Sequence, residues 1–382
     1  PEEMRQVAAA QWQTNKAVVS TSEFFTPHIA LGADRATVTQ RPTRSDPSVT
    51  ETFAESTGNS LRVEGVPILP LPPFKGTVDR VPLKSVTFGT QKYDGLQIET
   101  TWDALALLGV EPPPGFEADV QADGFTERGA AIGTVMRYDV AEAEGMLDLY
   151  SMYDNLHNPD RTSAGLNVQP DNHWRGVALG EYQMQLSRFW SAQLQGSYIS
   201  HPTFISARRE EDYTERREYE TAGYLKYERE NAAFNVLAKY EVNDFLSNDY
   251  LIASRGYTVN KVPEITYRRY GDSLFDDAFS YSMENRLSRM QFAFQNTTEN
   301  EAGIRNGTFP FGPNQNIQDQ FLAAGFPGNY VSRLDTRHEL TMPMHWNWLN
   351  VMPFVVGRFN GRSRVRSPMT AIALLSVLRS RE

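Results

Sequence analysis

The sequence contains no cysteine. That excludes disulfide staples, thiol nucleophiles and cysteine-held metal sites. It has no apolar run of the ~20 residues that a membrane-crossing helix needs, and its mean hydropathy is −0.49. A helical membrane protein is therefore excluded. A membrane β-barrel is not, because polar lumen residues lower the average. Positive charge is in deficit: 37 Lys and Arg face 47 Asp and Glu, for a net charge of −10. Phosphate binding needs clustered cations, and the densest basic stretch, RSRVR at 362–366, is short. Nucleic acid is not expected as a partner. Histidine is scarce, at six scattered residues; His338 and His345 read as surface polar groups. There is no GxSxG, HExxH, Walker loop or dinucleotide fingerprint. Neither catalysis, a cofactor nor a metal is expected. Glu117 and Asp119 have the same-face spacing that a glycosidase could use. Without a third partner they read as an acidic row.

What is present is alternation. Along WRGVALGEYQMQLSRFWSAQLQGSYISHP (174–202), Trp190, Ala192, Leu194, Gly196 and Tyr198 share one parity. Ser191, Gln193, Gln195 and Ser197 share the other. Upstream, Gly180, Tyr182, Met184 and Leu186 oppose Glu181, Gln183 and Gln185. Successive side chains of a strand point to opposite faces, so this is a two-faced hairpin turning at Ser187, Arg188 and Phe189. Similar strands recur at 96–102, 116–123, 132–139 and 234–242, and Leu340, Met342, Met344, Trp346 and Trp348 share a parity. The architecture is all-β, either a soluble sandwich or a membrane barrel. Two features favour the barrel. Connectors are unequal, with long polar ones at EDYTERREYE (211–220) and 296–329 beside tight turns. The apolar face mixes Tyr, Trp and Met with Gly and Ala, where a packed core prefers Leu, Ile and Val. On the barrel reading, Glu117, Asp119, Gln121, Glu181, Gln183, Gln185, Gln193 and Gln195 line a hydrated lumen. Trp102, Tyr182, Trp190, Tyr198, Trp346 and Trp348 sit at the membrane interfaces.

Residues 1–65 hold short extended pieces and a Ser/Thr/Asp-rich run. LRVEGVPILPLPPFKGTVDRVPL follows, with Pro67, Pro70, Pro72, Pro73 and Pro82. Proline donates no ladder hydrogen bond, so it belongs at edges, bulges or strand ends. The cluster reads as a linker or as a deliberately weakened strand pairing. The tail MTAIALLSVL (369–378) is apolar without alternation and does not read as a barrel strand.

VEGVPILPLPPF (63–74) resembles the junction at which the LPS-assembly outer-membrane protein family (LptD/OstA) passes from its periplasmic domain into its barrel; Pro67 and Pro72 match the two prolines. TTWDALALLG (100–109), the stretch 114–139 with its Arg128-Gly129 and Arg137-Tyr138 steps, the hairpin 174–205, VPEITYRRY (262–270) and 333–355 resemble later strands in the same order. The sequence departs from the family at VTFG (86–89), which lacks a proline, and in having no interdomain disulfide. The resemblance implies that 1–65 are the last strands of a periplasmic β-jellyroll and 66–382 part of an antiparallel transmembrane β-barrel. It implies an internal piece of a longer, divergent member, with an open curved sheet of about ten to fourteen strands. It further implies an outer-membrane protein that inserts lipopolysaccharide into the outer leaflet, partnered by a plug lipoprotein, a periplasmic bridge protein and outer-membrane lipids. Sugar would pass the lumen, and lipid would leave through a lateral gate at Pro67, Pro70, Pro72 and Pro73. A passive porin or receptor barrel and a soluble β-sandwich binding module are the rival readings.

Overall fold

Alternation of apolar and polar residues becomes strand throughout the computed structural model, which describes residues 3–20, 29–42, 50–77, 82–162, 165–215, 217–243, 256–362 and 370–372. The first strands are β1 (Glu3–Ala8), β2 (Gln11–Val19), β3 (Ile29–Pro42), β4 (Thr50–Thr57), β5 (Asn59–Val63), β6 (Val66–Leu71) and β7 (Phe74–Thr77). They form one seven-stranded sheet with the path β1-β2-β3-β4-β7, and β5 bridges β3 to β6. This corrects the expected division at 65/66, because β6 and β7 still pair within this sheet. It also corrects the placement of the prolines. Pro67 and Pro70 lie on β6, which among the described residues pairs only with β5, and Pro72 and Pro73 follow it. An edge strand loses least from missing N–H donors, so Pro67 and Pro70 sit at an edge of the small sheet, and none of the four is on the first strand of the large one. That strand, LKSVTFGTQ, has no proline.

The larger sheet takes β8 (Leu83–Gln91), β9 (Gly95–Asp103), β10 (Phe116–Phe125), β11 (Gly129–Val140), β12 (Ala143–Asp154), then, after the two-residue strands β13 (Asp160–Arg161) and β14 (Asn167–Val168), β15 (Trp174–Gln185) and β16 (Trp190–Ile199). It continues through β17 (Thr221–Arg229), β18 (Ala232–Tyr240), β19 (Tyr257–Leu274), β20 (Phe279–Phe294) and β21 (Val331–Thr341). After the small hairpin β22 (Met344–Trp346) and β23 (Leu349–Val351) come β24 (Phe354–Arg362) and β25 (Thr370–Ile372). Fourteen strands run in the order β25-β24-β21-β20-β19-β18-β17-β16-β15-β12-β11-β10-β9-β8. This is an antiparallel meander, and among the described residues its edge strands β8 and β25 do not pair with each other. The expected strand number and open edges are found. The short helices are α1 (Ala104–Leu107), α2 (Phe204–Arg208), α3 (Glu210–Glu215), α4 (Glu299–Ala302) and α5 (Ile317–Ala323).

The chain divides into two compact units, residues 1–90, 96–124 and 134–136 in one, and 91–95, 125–133 and 137–382 in the other. In the first, α1 starts at Asp103, whose carboxylate accepts the Ala106 N–H at 2.9 Å, an ordinary N-cap. In the second, one end of the strands carries the tight turns Ala141–Glu142, Leu186–Phe189, Glu230–Asn231 and Phe275–Ala278, together with the connection 342–353 that holds β22 and β23. The other end carries the connections 155–173, 200–220 and 295–330. Pro263 falls inside the register shift between Lys261 and Glu264, where a missing donor disturbs no regular ladder bond. The shared parity of Trp346 and Trp348 does not make one strand, because the chain reverses at Asn347 (φ 30°) between β22 and β23. The apolar tail from 373 onward lies outside the described residues.

Candidate functional site: the polar side of the large sheet

Register decides which side chains share a face. Across β12 and β15, Met146 faces Glu181 and Glu144 faces Gln183. Across β15 and β16, Glu181 pairs with Gln195, Gln183 with Gln193 and Gln185 with Ser191. Gln193 donates to Gln183 at 2.8 Å and Gln195 to Glu181 at 3.0 Å. The same face continues through Tyr224 and Lys226 on β17, Asn235 and Lys239 on β18, and Glu264, Thr266 and Arg268 on β19. It continues through Glu284, Arg286 and Ser288 on β20, Arg333, Asp335 and Arg337 on β21, and Arg358 and Asn360 on β24. Ion pairs tie these strands together: Arg268–Glu284 at 3.2 Å and Arg358–Asp335 at 2.8 Å among them. The opposite face carries Leu147, Leu149, Tyr153, Trp174, Tyr182, Leu194, Tyr198, Val236, Leu287, Leu334 and Val355 by the same registers. It is in the open: Leu194 is 53% exposed, Tyr198 55% and Trp174 68%.

The polar face is covered at the loop end. The connection 200–220 supplies Phe204, Ile205 and Tyr219, which bury Val177, Leu179 and Ile199, with Met146, Tyr150 and Tyr213 at the margin. The polar-face parity of β15 therefore reads Arg175, Val177, Leu179 and then Glu181, dry under the cap and wet beyond it. Arg217 of this connection reaches Glu181 at 2.9 Å and Asp212 at 3.4 Å. Tyr219 donates to Asp212 at 2.7 Å, and burial pushes its hydroxyl pKa upward.

Beside this apolar patch lies a buried charge cluster of three guanidiniums and three carboxylates. Arg128 contacts Asp94 (3.3 Å), Asp154 (3.1 Å) and Asp160 (3.2 Å), and donates to the Pro159 carbonyl at 2.6 Å. Arg175 contacts Asp154 at 2.7 Å and also Asp160. Arg208 of α2 donates to Asp94 at 2.8 Å. Thr203 donates to Asp160 at 2.5 Å. Asp154 and Asp160 are 0% exposed and Arg175 2%. An unpaired charge at such depth costs several kcal/mol, so only mutual pairing permits this burial. Burial alone would raise the Asp160 carboxyl, but Arg175, the Thr203 hydroxyl and Arg128 outweigh it and hold it below the usual range. Burial and the Arg175 charge lower His201, against the opposing pull of Asp160 and Asp171. Backbone shape serves the cluster. Gly129 follows Arg128 at φ 129°, and a Cβ there would collide with the Tyr153 carbonyl oxygen, so only glycine fits.

The connection 295–330 builds a core of its own from Ile304, Phe309 and Ile317, with Phe311 and Phe321 against it. Phe321 stacks on Phe294 at 5.2 Å between centroids. Helix α4 begins with a reciprocal capping box between Thr298 and Glu301. The buried Glu299 carboxylate accepts the N–H groups of Gly307 (3.1 Å) and Phe309 (2.8 Å).

Of the eight residues expected in a lumen, five come together: Glu181, Gln183, Gln185, Gln193 and Gln195. Glu117, Asp119 and Gln121 share one strand, β10, in the other unit, where Asp119 is buried and paired with Lys84 at 2.5 Å. Of the aromatics, Trp102 is half-buried and donates to Thr100 at 2.8 Å. Tyr182 and Trp190 share the apolar face with Tyr198, and Trp346 and Trp348 are exposed around the β22–β23 turn. Sequence reasoning missed the charge cluster. Its visible trace was Arg175, an arginine in phase with Val177 and Leu179. It also read 211–220 and 296–329 as polar loops, although Phe204, Tyr219, Phe309 and Phe321 anchor them. Among the described residues no group of side chains is arranged to hold a metal ion. Comparison with protein-family models and with curated proteins finds no match.

Proposed function

We propose that this chain is part of an outer-membrane β-barrel that delivers lipopolysaccharide to the outer leaflet, with the small sheet as the periplasmic jellyroll portion. The observation that carries the reading is the separation of faces from β12 to β24: one side charged and amide-rich, the other mainly apolar and left in the open, with Asn285, Thr336 and His338 as its polar positions on β20 and β21. Open apolar surface on this scale is costly in water and is what lipid contact requires. The aromatic pairs are spaced to match. Trp174 is level with Tyr153, and Trp190 is level with Tyr227 and bonded to Leu186. Positions 174 and 186 lie about 40 Å apart along the strand at ~3.3 Å per residue. Tilted by ~40°, that is about 30 Å across a membrane, the hydrocarbon thickness. Four tight turns at one end, beside the single hairpin-bearing connection 342–353, and long connections at the other fit the same orientation. A soluble sandwich would bury Leu194 between sheets, and it is exposed.

On this reading the polar face hydrates a sugar chain, and the open edges β8 and β25 meet further strands of the full barrel. The delivery role, the plug lipoprotein and the periplasmic bridge protein rest on the sequence resemblance. Depleting the protein in its host should halt the appearance of newly made LPS at the cell surface; unchanged surface LPS refutes the delivery role. The membrane reading has a separate test. Leu194→Arg should cost the barrel about 2–4 kcal/mol in lipid vesicles, and Gln193→Arg well under 1 kcal/mol, since only the first places charge in hydrocarbon. Equal effects would refute it.

A further inference from the structure

Near the ends of β18, β19 and β20, a cavity of about 720 Å³ opens against residues 318–329. Its chemistry differs from that of the ion-paired polar face. Among the described residues its lining has seven amide side chains and four aromatic rings, and no Lys or Arg. Phe326 is half-exposed into it, and Phe292 and Tyr240 are also exposed. Several amides are already oriented by protein contacts. Asn260 accepts the Glu241 N–H at 2.8 Å, and Gln291 donates to the Gly328 carbonyl at 2.6 Å. One is not satisfied: Gln295 is 2% exposed, lines the cavity, and its Oε1 has no hydrogen-bond partner. A buried acceptor left unpaired costs about 1–3 kcal/mol, which a ligand hydroxyl would recover once the Gln295 amide turns toward the cavity. Burial also raises the Glu241 carboxyl in the lining to about 7, so near neutrality it both donates and accepts.

We propose that this cavity binds a neutral hexose unit of an oligosaccharide. Amides supply paired donors and acceptors for vicinal hydroxyls, and exposed rings offer flat apolar faces to the C–H side of a pyranose. Among the described residues no lining cation would compensate a buried anion, so a neutral sugar is the ligand this lining fits. The proposal deepens the delivery reading by naming the saccharide chemistry recognised at the loop end.

The test uses the whole barrel protein, with the further strands that meet β8 and β25, in detergent, with binding read by saturation-transfer NMR and calorimetry. The probes are a lipid-free neutral hexose oligosaccharide cut from smooth LPS, maltohexaose, and a lipid-free phosphate-bearing core oligosaccharide. Saturable binding of a neutral probe, weakened about tenfold or more by Phe326→Ala and by Gln295→Met, supports the assignment. Gln318→Ala, at the half-buried wall, provides a third variant should the buried Gln295 change disturb folding. Preference between the LPS-derived probe and maltohexaose tells whether the natural ligand comes from LPS or from another glucan. Failure of both neutral probes, binding of the phosphate-bearing probe alone, or neutral binding untouched by all three variants overturns it. Normal LPS delivery without oligosaccharide binding would sink the cavity and leave the delivery reading standing. Oligosaccharide binding with no effect of depletion on surface LPS would do the reverse.

Discussion

The connections 200–220 and 295–330 both fold back on strand ends of the large sheet and both bury apolar side chains, but they are fastened differently. The first is held in addition by a buried ionic cluster, with Arg208 on Asp94 and Thr203 on Asp160. The second is held by aromatic packing, with Phe321 against Phe294, Phe309 and Phe311. An ionic clasp demands every partner, because removing one leaves a charge buried alone. An aromatic clasp degrades in proportion to the area lost. The first fastening is therefore brittle and sensitive to protonation; the second is tolerant.

The largest effect should follow from Arg175→Leu, which leaves Asp154 and Asp160 sharing Arg128. The cap should lose about 3–5 kcal/mol of local stability, read as faster hydrogen exchange and proteolysis within 200–220, with 295–330 unchanged. Arg175→Lys should recover only part of it, since one ammonium cannot bridge two carboxylates as a planar fork does. Phe309→Ala should cost about 3 kcal/mol and produce the complementary pattern, exchange rising only in 295–330. If either variant loosened both connections equally, the two fastenings would not be independent.

Titration should move the two sides in opposite directions. Asp160 is held low, so its contribution is complete above about pH 4, where an unfolded aspartate is ionised, and is lost as pH falls through its lowered native value. His201 is also lowered; the unfolded chain takes up a proton below about pH 6.5, so the cap weakens from there downward. Glu241 is raised to about 7. Its contribution is complete below about pH 4.3 and is lost as pH rises through 7. After correction for the intrinsic pH dependence of exchange, acidification from pH 8 to 5 should thus lower protection in 200–220, through His201, and raise it around 241–243. The smallest effect is that of salt. Raising ionic strength should leave the buried cluster almost unchanged, while exposed pairs such as Arg337–Glu339, at 2.5 Å, should lose what little they contribute, under about 1 kcal/mol. Exchange rates on β21 report that difference.

Face assignment was legible residue by residue. Gln193 and Leu194 were separated by parity alone, and the register kept them apart, because a strand's two-residue period is a property of the local backbone. Strand number was bounded by length. The proline stretch misled: Pro67 and Pro70 announced an edge, and nothing local said which sheet owned that edge. Trp346 and Trp348 misled for a similar reason, since parity continues across a tight reversal. The cap was missed because EDYTERREYE is polar in composition, and its anchors Phe204 and Tyr219 stand apart at the two ends of the connection.

The sequence by itself determined that the chain is strand-built, which side chains share a face, and that no cysteine chemistry operates. These follow from local geometry and composition. Tertiary structure alone decided the ownership of the prolines, the caps over the polar face and the charge cluster. Asp94 and Arg208 are 114 residues apart, and a carboxylate reads as an ordinary surface group until the fold excludes water from it. Burial is a property of the assembled surface, so neither the clasp nor the unsatisfied Gln295 amide could be seen in the order of the residues.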